Sequence, residues 1–341
     1  MINFANTPYT HKVRAYSTQK AVCLISQGDT IYNLDAPLLS YPQNGFYVFD
    51  LSSFFRFFNL FKIQQPELKK EVTYLGEAQS FMIKTFVQGN EVHSSELSFF
   101  PGGGLNGVDT WFNKFLTFQP YSYEVGMFDK LFRYIYLNNS FVDIFQVSGY
   151  IEYEDGSTSQ IVGQQQNYQH GLHLIDCSLS RYKSQAIANK VITKYSIFLA
   201  DTNNKPLSPT LSFKLHTRPN HYPVPVLYRN RLGVWDTFTF ARIKDMLDVN
   251  TLKGILEGNN EVPTYIENRD KISVTTRAVK DSLLRAIGVD ISQSPEIYIW
   301  NNASQERVFL SQQSVGVFTT ENAVVSLQLE FQKAHVNEVY V

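Results

Sequence analysis

His170 and His173, in the run QHGLH, are spaced so that a helix would set both imidazoles on one face, the start of a zinc site. The hydrolase pattern His-Glu-x-x-His needs a glutamate that is missing here, and a turn around Gly171 accounts for the same residues. Glu152 and Glu154 share one face of an expected strand and have the types of a glycosidase acid/base pair. With 31 acidic side chains in the sequence, such a pair also arises by coincidence. Cys23 and Cys177 are too few for a disulfide framework or a multi-cysteine zinc site; each sits among apolar or β-forming residues and reads as a buried thiol. The glycine-dense loop Pro101–Gly107 (PGGGLNG) lacks the Lys-Ser or Lys-Thr of a phosphate loop, so positive φ angles explain its glycines. No Gly-x-Ser-x-Gly elbow is present. The expectation is therefore a non-enzymatic protein with no catalytic residues, no metal ligands and no cofactor.

The most informative segment is 227–240, LYRNRLGVWDTFTF. It reads as a β-hairpin whose turn uses Gly233 in the left-handed region. The second strand would place Val234, Asp236, Phe238 and Phe240 on one face, with Trp235, Thr237 and Thr239 on the other. Asp236 in that company is expected to accept hydrogen bonds from turn amides and hold the corner shut. Asn230, Gly233, Trp235, Asp236, Phe238 and Phe240 are the candidate structural-site residues. Taken alone, they equally describe an aromatic corner of a core.

This segment resembles the Leu-Asn-x-x-Gly-x-x-Asp-x-Phe-x-Phe signature of structural proteins from phages infecting Bacteroidota, including crAss-like phages. Asn230, Gly233, Asp236, Phe238 and Phe240 match it position by position. Tyr228-Arg229 stands where Trp-Leu or Tyr-Leu is usual, and Val234 replaces a common second glycine. A second piece follows in the same order. Ser294-Pro295-Glu296-Ile297-Tyr298, after an expected helix, is similar to that family's Ser-Pro-Glu-Val-Tyr strand, and the closing strand Val325–Phe331 fits as well. The resemblance covers about residues 220–341. It implies a place in the virion rather than a reaction.

The elements that must position this corner are mostly strands. Lys20–Ile25, Gly45–Leu51, Glu71–Leu75 and Ser80–Val87 are short, β-branched or aromatic, and bounded by turn residues, although Met82–Lys84 would equally suit a helix. Lys130–Leu137 and Ser140–Val147 flank Asn138-Asn139 and suggest a hairpin. Gly149–Glu154 and Ser157–Val162 flank Asp155-Gly156, a stronger hairpin signal. Pro209–Thr217 alternates Leu211, Phe213 and Leu215 on one face. Residues 218–226 hold three prolines and read as a linker or extended crossing, unsuited to a central strand. Beyond it, 241–258 carries a weakly helical pattern. Thr276–Ile287 is a better helix, with Val279, Leu283 and Ile287 in line, Thr276 as cap and Gly288 as stop. Strands are expected again at Glu296–Trp300, Glu306–Leu310 and Val324–Phe331. The fold expected is mainly β, with antiparallel sandwich-like modules and a smaller α+β C-terminal module. Its parts are a β-rich module over 1–120, a second over 121–217, a linker with the motif hairpin over 218–250, and the C-terminal module over 251–341.

Composition sets the outer bounds. Aromatic residues reach 14% of the 341 positions, a surplus that suits β structure and protein interfaces. Thirty basic against 31 acidic residues leave no cation excess for non-specific nucleic-acid binding. The most apolar window, 54–63, is broken by Arg56, Asn59 and Lys62, so no membrane helix is expected, and the first residues lack the pattern of a secretory signal. With the resemblance, these features lead to the expectation of a virion protein of the tail, neck or connector, made in the host cytoplasm. It would build a ring of six or twelve copies and contact other virion proteins, without direct nucleic-acid or membrane binding. A carbohydrate-binding or receptor-binding β-sandwich of the tail is the alternative.

Overall fold

The computed structural model describes residues 2–4, 10–15, 17–27, 29–32, 38–51, 65–76, 79–100, 111–138, 142–216, 222–256, 260–276, 279–300, 305–314, 324–333 and 337–339. The window 54–63, the loop 101–107 and the Asn139 turn lie outside them. The chain is mostly β, in mainly antiparallel sheets that pack as sandwich modules, with parallel pairs only at Ile2–Phe4 and Ser122–Val125 among the described residues.

The N-terminal module is a six-stranded sheet. Its path runs Ile2–Phe4, Asn90–Phe100, Gln79–Val87, Ala21–Gln27 and Thr30–Tyr32, with Leu38–Ser40 also paired to Ala21–Gln27. One face of this sheet packs on the two-stranded ladder of Thr10–Arg14 and Phe46–Asp50. Between them lies a core of Val13, Cys23, Ile25, Tyr47, Phe49, Phe81 and Ile83. The Met82–Lys84 stretch is strand, because Ile83 and Phe81 alternate into that core while Met82 and Lys84 face outward.

The middle module is a sandwich. Its larger sheet orders Ser122–Val125, Leu211–Leu215, Ile192–Asp201, Ile144–Tyr153 and Thr158–Val162, with Gln166–Asn167 beside Ile144–Tyr153. Leu211, Phe213 and Leu215 all face the core, as their alternation predicts, each adding about 1.5–3 kcal/mol of burial. The Asp155-Gly156 hairpin forms, with Gly156 at φ +78° and Glu152 opposite Thr158. The hairpin expected across Asn138-Asn139 does not: Phe132–Leu137 pairs with Gly171–Asp176 in the opposing sheet, so the chain crosses the sandwich there. That smaller sheet is completed by Val72–Gly76, a strand from the first 120 residues. Phe115 also joins the sandwich core, so pairing and packing run across the boundary expected near residue 120.

The C-terminal module is a ring of antiparallel strands. The path Trp235–Leu256, Pro223–Arg229, Ile297–Trp300, Gln305–Ser314, Gln328–Lys333 and Asn260–Thr275 returns to Trp235–Leu256, and Ala241 is partnered on both sides. Residues 241–256, read as weakly helical, are strand: they pair through Leu256 with 260–275, a long two-stranded extension of the ring. Asn337–Val339 adds to that extension. The linker expected at 218–226 is a strand from Pro223 on. It tolerates Pro223 and Pro225 because Ile297–Trp300 pairs only with Val226–Tyr228, leaving the prolines at an open edge. One helix, Asp281–Gln293, packs Leu283, Ile287 and Ile291 on the core. It starts later than expected and continues through Gly288. Thr276 does not cap it; its hydroxyl accepts the Leu327 N–H at 2.9 Å instead.

Candidate functional site: a buried polar junction

The small sheet of the sandwich is covered on both faces. Ile135, Leu137 and Ile175 point into the sandwich. Phe132, Tyr134, Tyr136, Leu172 and Leu174 point the other way, against Leu116 and the tip of the motif hairpin, where Leu227, Leu232, Val234 and Trp235 complete a second core. Strands buried on both faces have no wet side for a polar residue. Arg133, the second residue of Phe132–Leu137, must therefore find its partners inside.

It finds one on the ring and the others on its own strand and the segment 119–123. Arg133 Nη1 donates to Asp236 Oδ1 at 2.8 Å and to the Phe132 carbonyl at 2.8 Å; Nη2 donates to Gln119 Oε1 at 2.7 Å and to the Tyr123 hydroxyl. Asp236 Oδ2 accepts from Thr117 Oγ1 at 2.6 Å, and Oδ1 also accepts the Thr237 N–H at 3.0 Å. Gln119 Nε2 donates onward to the Tyr228 hydroxyl at 2.8 Å and the Thr237 carbonyl at 3.1 Å. Arg133 and Asp236 are 2% and 1% exposed. Burial pushes the Asp236 carboxyl up, and the adjacent guanidinium opposes that shift. Burial alone would weaken Arg133's hold on its proton; the Asp236 carboxylate reverses this and holds the guanidinium charged. Asp236 thus does not clamp turn amides as its position suggests. Besides the neighbouring Thr237 N–H, it binds Arg133 and Thr117, 103 and 119 positions away.

The turn amides are served by Asn230. Its Oδ1 accepts the Leu232 N–H at 3.0 Å and its Nδ2 donates to the Leu116 carbonyl at 2.9 Å. On the backbone, its N–H donates to the Val234 carbonyl at 2.9 Å and its carbonyl accepts the Gly233 N–H at 2.9 Å. Gly233 sits at φ +78°, as the hairpin reading requires. Trp235 packs on the sandwich side, edge-on to Tyr298 at 5.7 Å. Phe238 and Phe240 face the ring core, edge-on to each other at 5.0 Å. All six candidate residues therefore stand at one junction, but both faces of the strand are buried.

At the rim, Arg229 Nε pairs with Glu296 Oε2 at 2.6 Å, its guanidinium lies 4.6 Å from the Trp235 ring centre, and its N–H donates to Ser294 Oγ at 2.9 Å. Arg231 pairs with Asp290 on the helix at 2.7 Å and covers the Phe118 ring at 4.0 Å. Burial raises the Asp290 carboxyl to about 6 against the pull of Arg231. Sequence reading missed Arg133, Thr117, Gln119, Tyr123 and Tyr228. The one available signal was Arg133 itself, a cation within the apolar run LFRYIYL.

The other candidate chemistry does not assemble. His173 lies on a strand, not a helix. It is buried against Phe145 and Tyr74, and burial lowers its pKa to about 4. The His170 ring instead meets Tyr136. Glu152 pairs with Lys194 at 2.6 Å. Cys23 and Cys177 are buried and free, and burial pushes the Cys23 thiol up to about 12. Among the described residues no three His, Cys, Asp or Glu side chains gather as a metal site, and no helix is long and apolar enough to cross a membrane. The central charges of the junction, Arg133 and Asp236, are sealed from solvent, so what this arrangement does is fasten the sandwich to the ring.

No family model matches the chain, and no curated protein does. Among solved structures it is similar to a three-domain fragment of titin, I67–I69, and to a Glu-to-Ala variant of that fragment. Each is 8% identical with a TM-score of 0.21, covering 98% of this chain and 85% of the titin fragment.

Proposed function

We propose that this chain is a non-enzymatic structural protein of a tailed-phage virion, building a tail, neck or connector ring through repeated contacts between copies. The observation that carries the reading is the meeting of the two sequence pieces on which the phage resemblance rests. Val226, Leu227 and Tyr228 stand opposite Ile299, Tyr298 and Ile297 in adjacent strands, and Arg229 binds both Ser294 and Glu296. Pieces 65 residues apart, matched in order, form one unit, which supports treating them as one inherited module rather than two accidents. A chain with an extended two-stranded ribbon also suits a ring subunit, because a head-to-tail ring joins two different patches of each copy. Six or twelve copies, other virion proteins as axial neighbours, and no direct contact with nucleic acid or membrane belong to this proposal.

The test is the mass of the purified full chain by light scattering, with negative-stain images of the same sample and mass spectrometry of phage particles. Closed rings, or the chain recovered from particles, support the reading. A strict monomer absent from particles overturns it, and binding on a glycan array would then favour a carbohydrate-binding tail module.

A further inference from the structure

The strand Trp235–Leu256 outruns its neighbour. Its pairing with Pro223–Arg229 ends where Pro223 stands opposite Ala241, and one further bond follows, from the Arg242 N–H to the Tyr222 carbonyl at 3.2 Å. Tyr222 is at φ +56°, outside the strand region, so the ladder stops there. From 243 to 256, about 45 Å of strand, the far side pairs with 260–275. Among the described residues no strand pairs with the near edge. Such an edge presents a row of N–H and C=O groups that templates a further strand, and a two-stranded ribbon alone in water is marginal. The edge opens on Ile243, which is 48% exposed. It is also regular: of the ribbon's two register breaks, one precedes Lys244 and the other adds Thr264 to the opposite strand.

The residues along the edge say which strand fits it. Two copies related by a two-fold axis pair antiparallel, each residue i opposite a residue j whose own copy faces i. Successive opposed pairs of such a ladder alternate between hydrogen-bonded and non-bonded, so the axis must pass through one residue facing its own copy. Few registers remain. An axis at Asp248 sets two carboxylates against each other. An axis at Asn250 sets Leu247 against Lys253 and Leu252 against Asp248. An axis at Val249 sets Asp245 against Lys253 twice and Met246 against Leu252, and no two like charges meet. Axes farther out shorten the ladder. Asp245 is exposed and holds Arg242 at 3.2 Å, and a carboxylate accepts a second cation as readily as one. The edge therefore complements itself in charge as well as in backbone.

We infer that residues 244–254 pair antiparallel with the same residues of a second copy about a two-fold axis at Val249, continuing the sheet from one chain into the other. The contact goes beyond the virion reading and does not depend on it; within a head-to-tail ring it sets two rings back to back, so that twelve copies are two sixes. The test uses the full chain. Cys23 and Cys177 are buried, so Val249→Cys supplies the one accessible thiol among the described residues. Under mild oxidation it should give covalent dimers, because the axis sets the two thiols opposite each other. Met246→Cys, whose copies would stand about 20 Å apart, should not link. Sedimentation equilibrium reads the charges. Asp245→Lys and Lys253→Asp each oppose like charges twice and should weaken pairing about tenfold or more. Mixed one to one, these two variants should pair as the parent does, because every like-charge contact becomes an opposite-charge one. A parent chain that never pairs, a Val249→Cys chain that stays unlinked, or charge variants that associate as the parent does would overturn the contact. The ring reading fails separately: pairs without rings keep this contact and remove the ring, whereas rings with Val249→Cys unlinked keep the ring and remove the contact.

Discussion

The junction and the N-terminal module are both β-sheet cores with polar groups inside, and they differ in how far those groups bind one another across separate chain segments. At the junction, Arg133, Asp236, Gln119, Thr117 and Asn230 bind one another across three chain segments. In the N-terminal module, His11 Nε2, Thr85 Oγ1 and Ser95 Oγ are buried without a hydrogen-bond partner among the described residues. Its outer sheet face also leaves apolar residues open: Leu24 at 36%, Ile31 at 57% and Leu39 at 48% exposure. The network at the junction ties three chain segments into one arrangement, although Arg133 Nε, the Tyr134 hydroxyl and Thr237 Oγ1 beside it also lack a hydrogen-bond partner among the described residues.

The largest expected effect breaks the junction at its charge pair. Asp236→Ala leaves the Arg133 guanidinium buried without its anion and should cost about 3–5 kcal/mol in denaturant unfolding of the full chain. Asn230→Ala comes next. It strands the Leu232 N–H and the Leu116 carbonyl, and the same measurement should show a loss of about 1–3 kcal/mol. Gly233→Val forces a β-branched residue to φ +78° and should cost more than about 1 kcal/mol; an unchanged melting temperature would mean the turn relaxes freely.

The smallest effect sharpens the contrast with pH. His11 has its pKa lowered to about 4 in the folded chain, below the ordinary histidine value. The stability it contributes is complete above about pH 6.5 and lost as pH falls toward 4. His173 in the sandwich carries the same liability, but Asp290 runs the other way. Its carboxyl is raised to about 6, so the cost of burying its charge is relieved as the medium acidifies. Between pH 7 and 5, with intrinsic exchange rates divided out, amide protection in Thr10–Arg14 and Phe46–Asp50 should fall more than in Pro223–Arg229. An equal fall in protection would erase the distinction between the two regions.

Local features were legible in the sequence and long-range ones were not. The alternation of Leu211, Phe213 and Leu215, the Asp155-Gly156 turn and the Gly233 hairpin are written within a few residues of where they act. The crossing after Leu137, the insertion of Val72–Gly76 into the sandwich and the closing of the ring depend on partners that no local pattern names. Residues 241–256 read as helix because their apolar spacing is ambiguous; the ladder with 260–275 makes them strand, a tertiary override of a weak local preference. The site was half visible. Its six residues were found by type and spacing, but Asp236 was assigned local partners because Arg133, 103 positions away, gave only the hint of a cation in an apolar strand.

The most direct test of the account is a double-mutant cycle on Arg133→Met and Asp236→Leu, followed by unfolding of the full chain. If the buried pair is what locks the sandwich to the ring, each single change should cost about 3–5 kcal/mol. The double variant should then recover much of that, because it leaves no lone charge inside. Losses that simply add would mean the two residues act separately and that the junction is held by its aromatic packing alone.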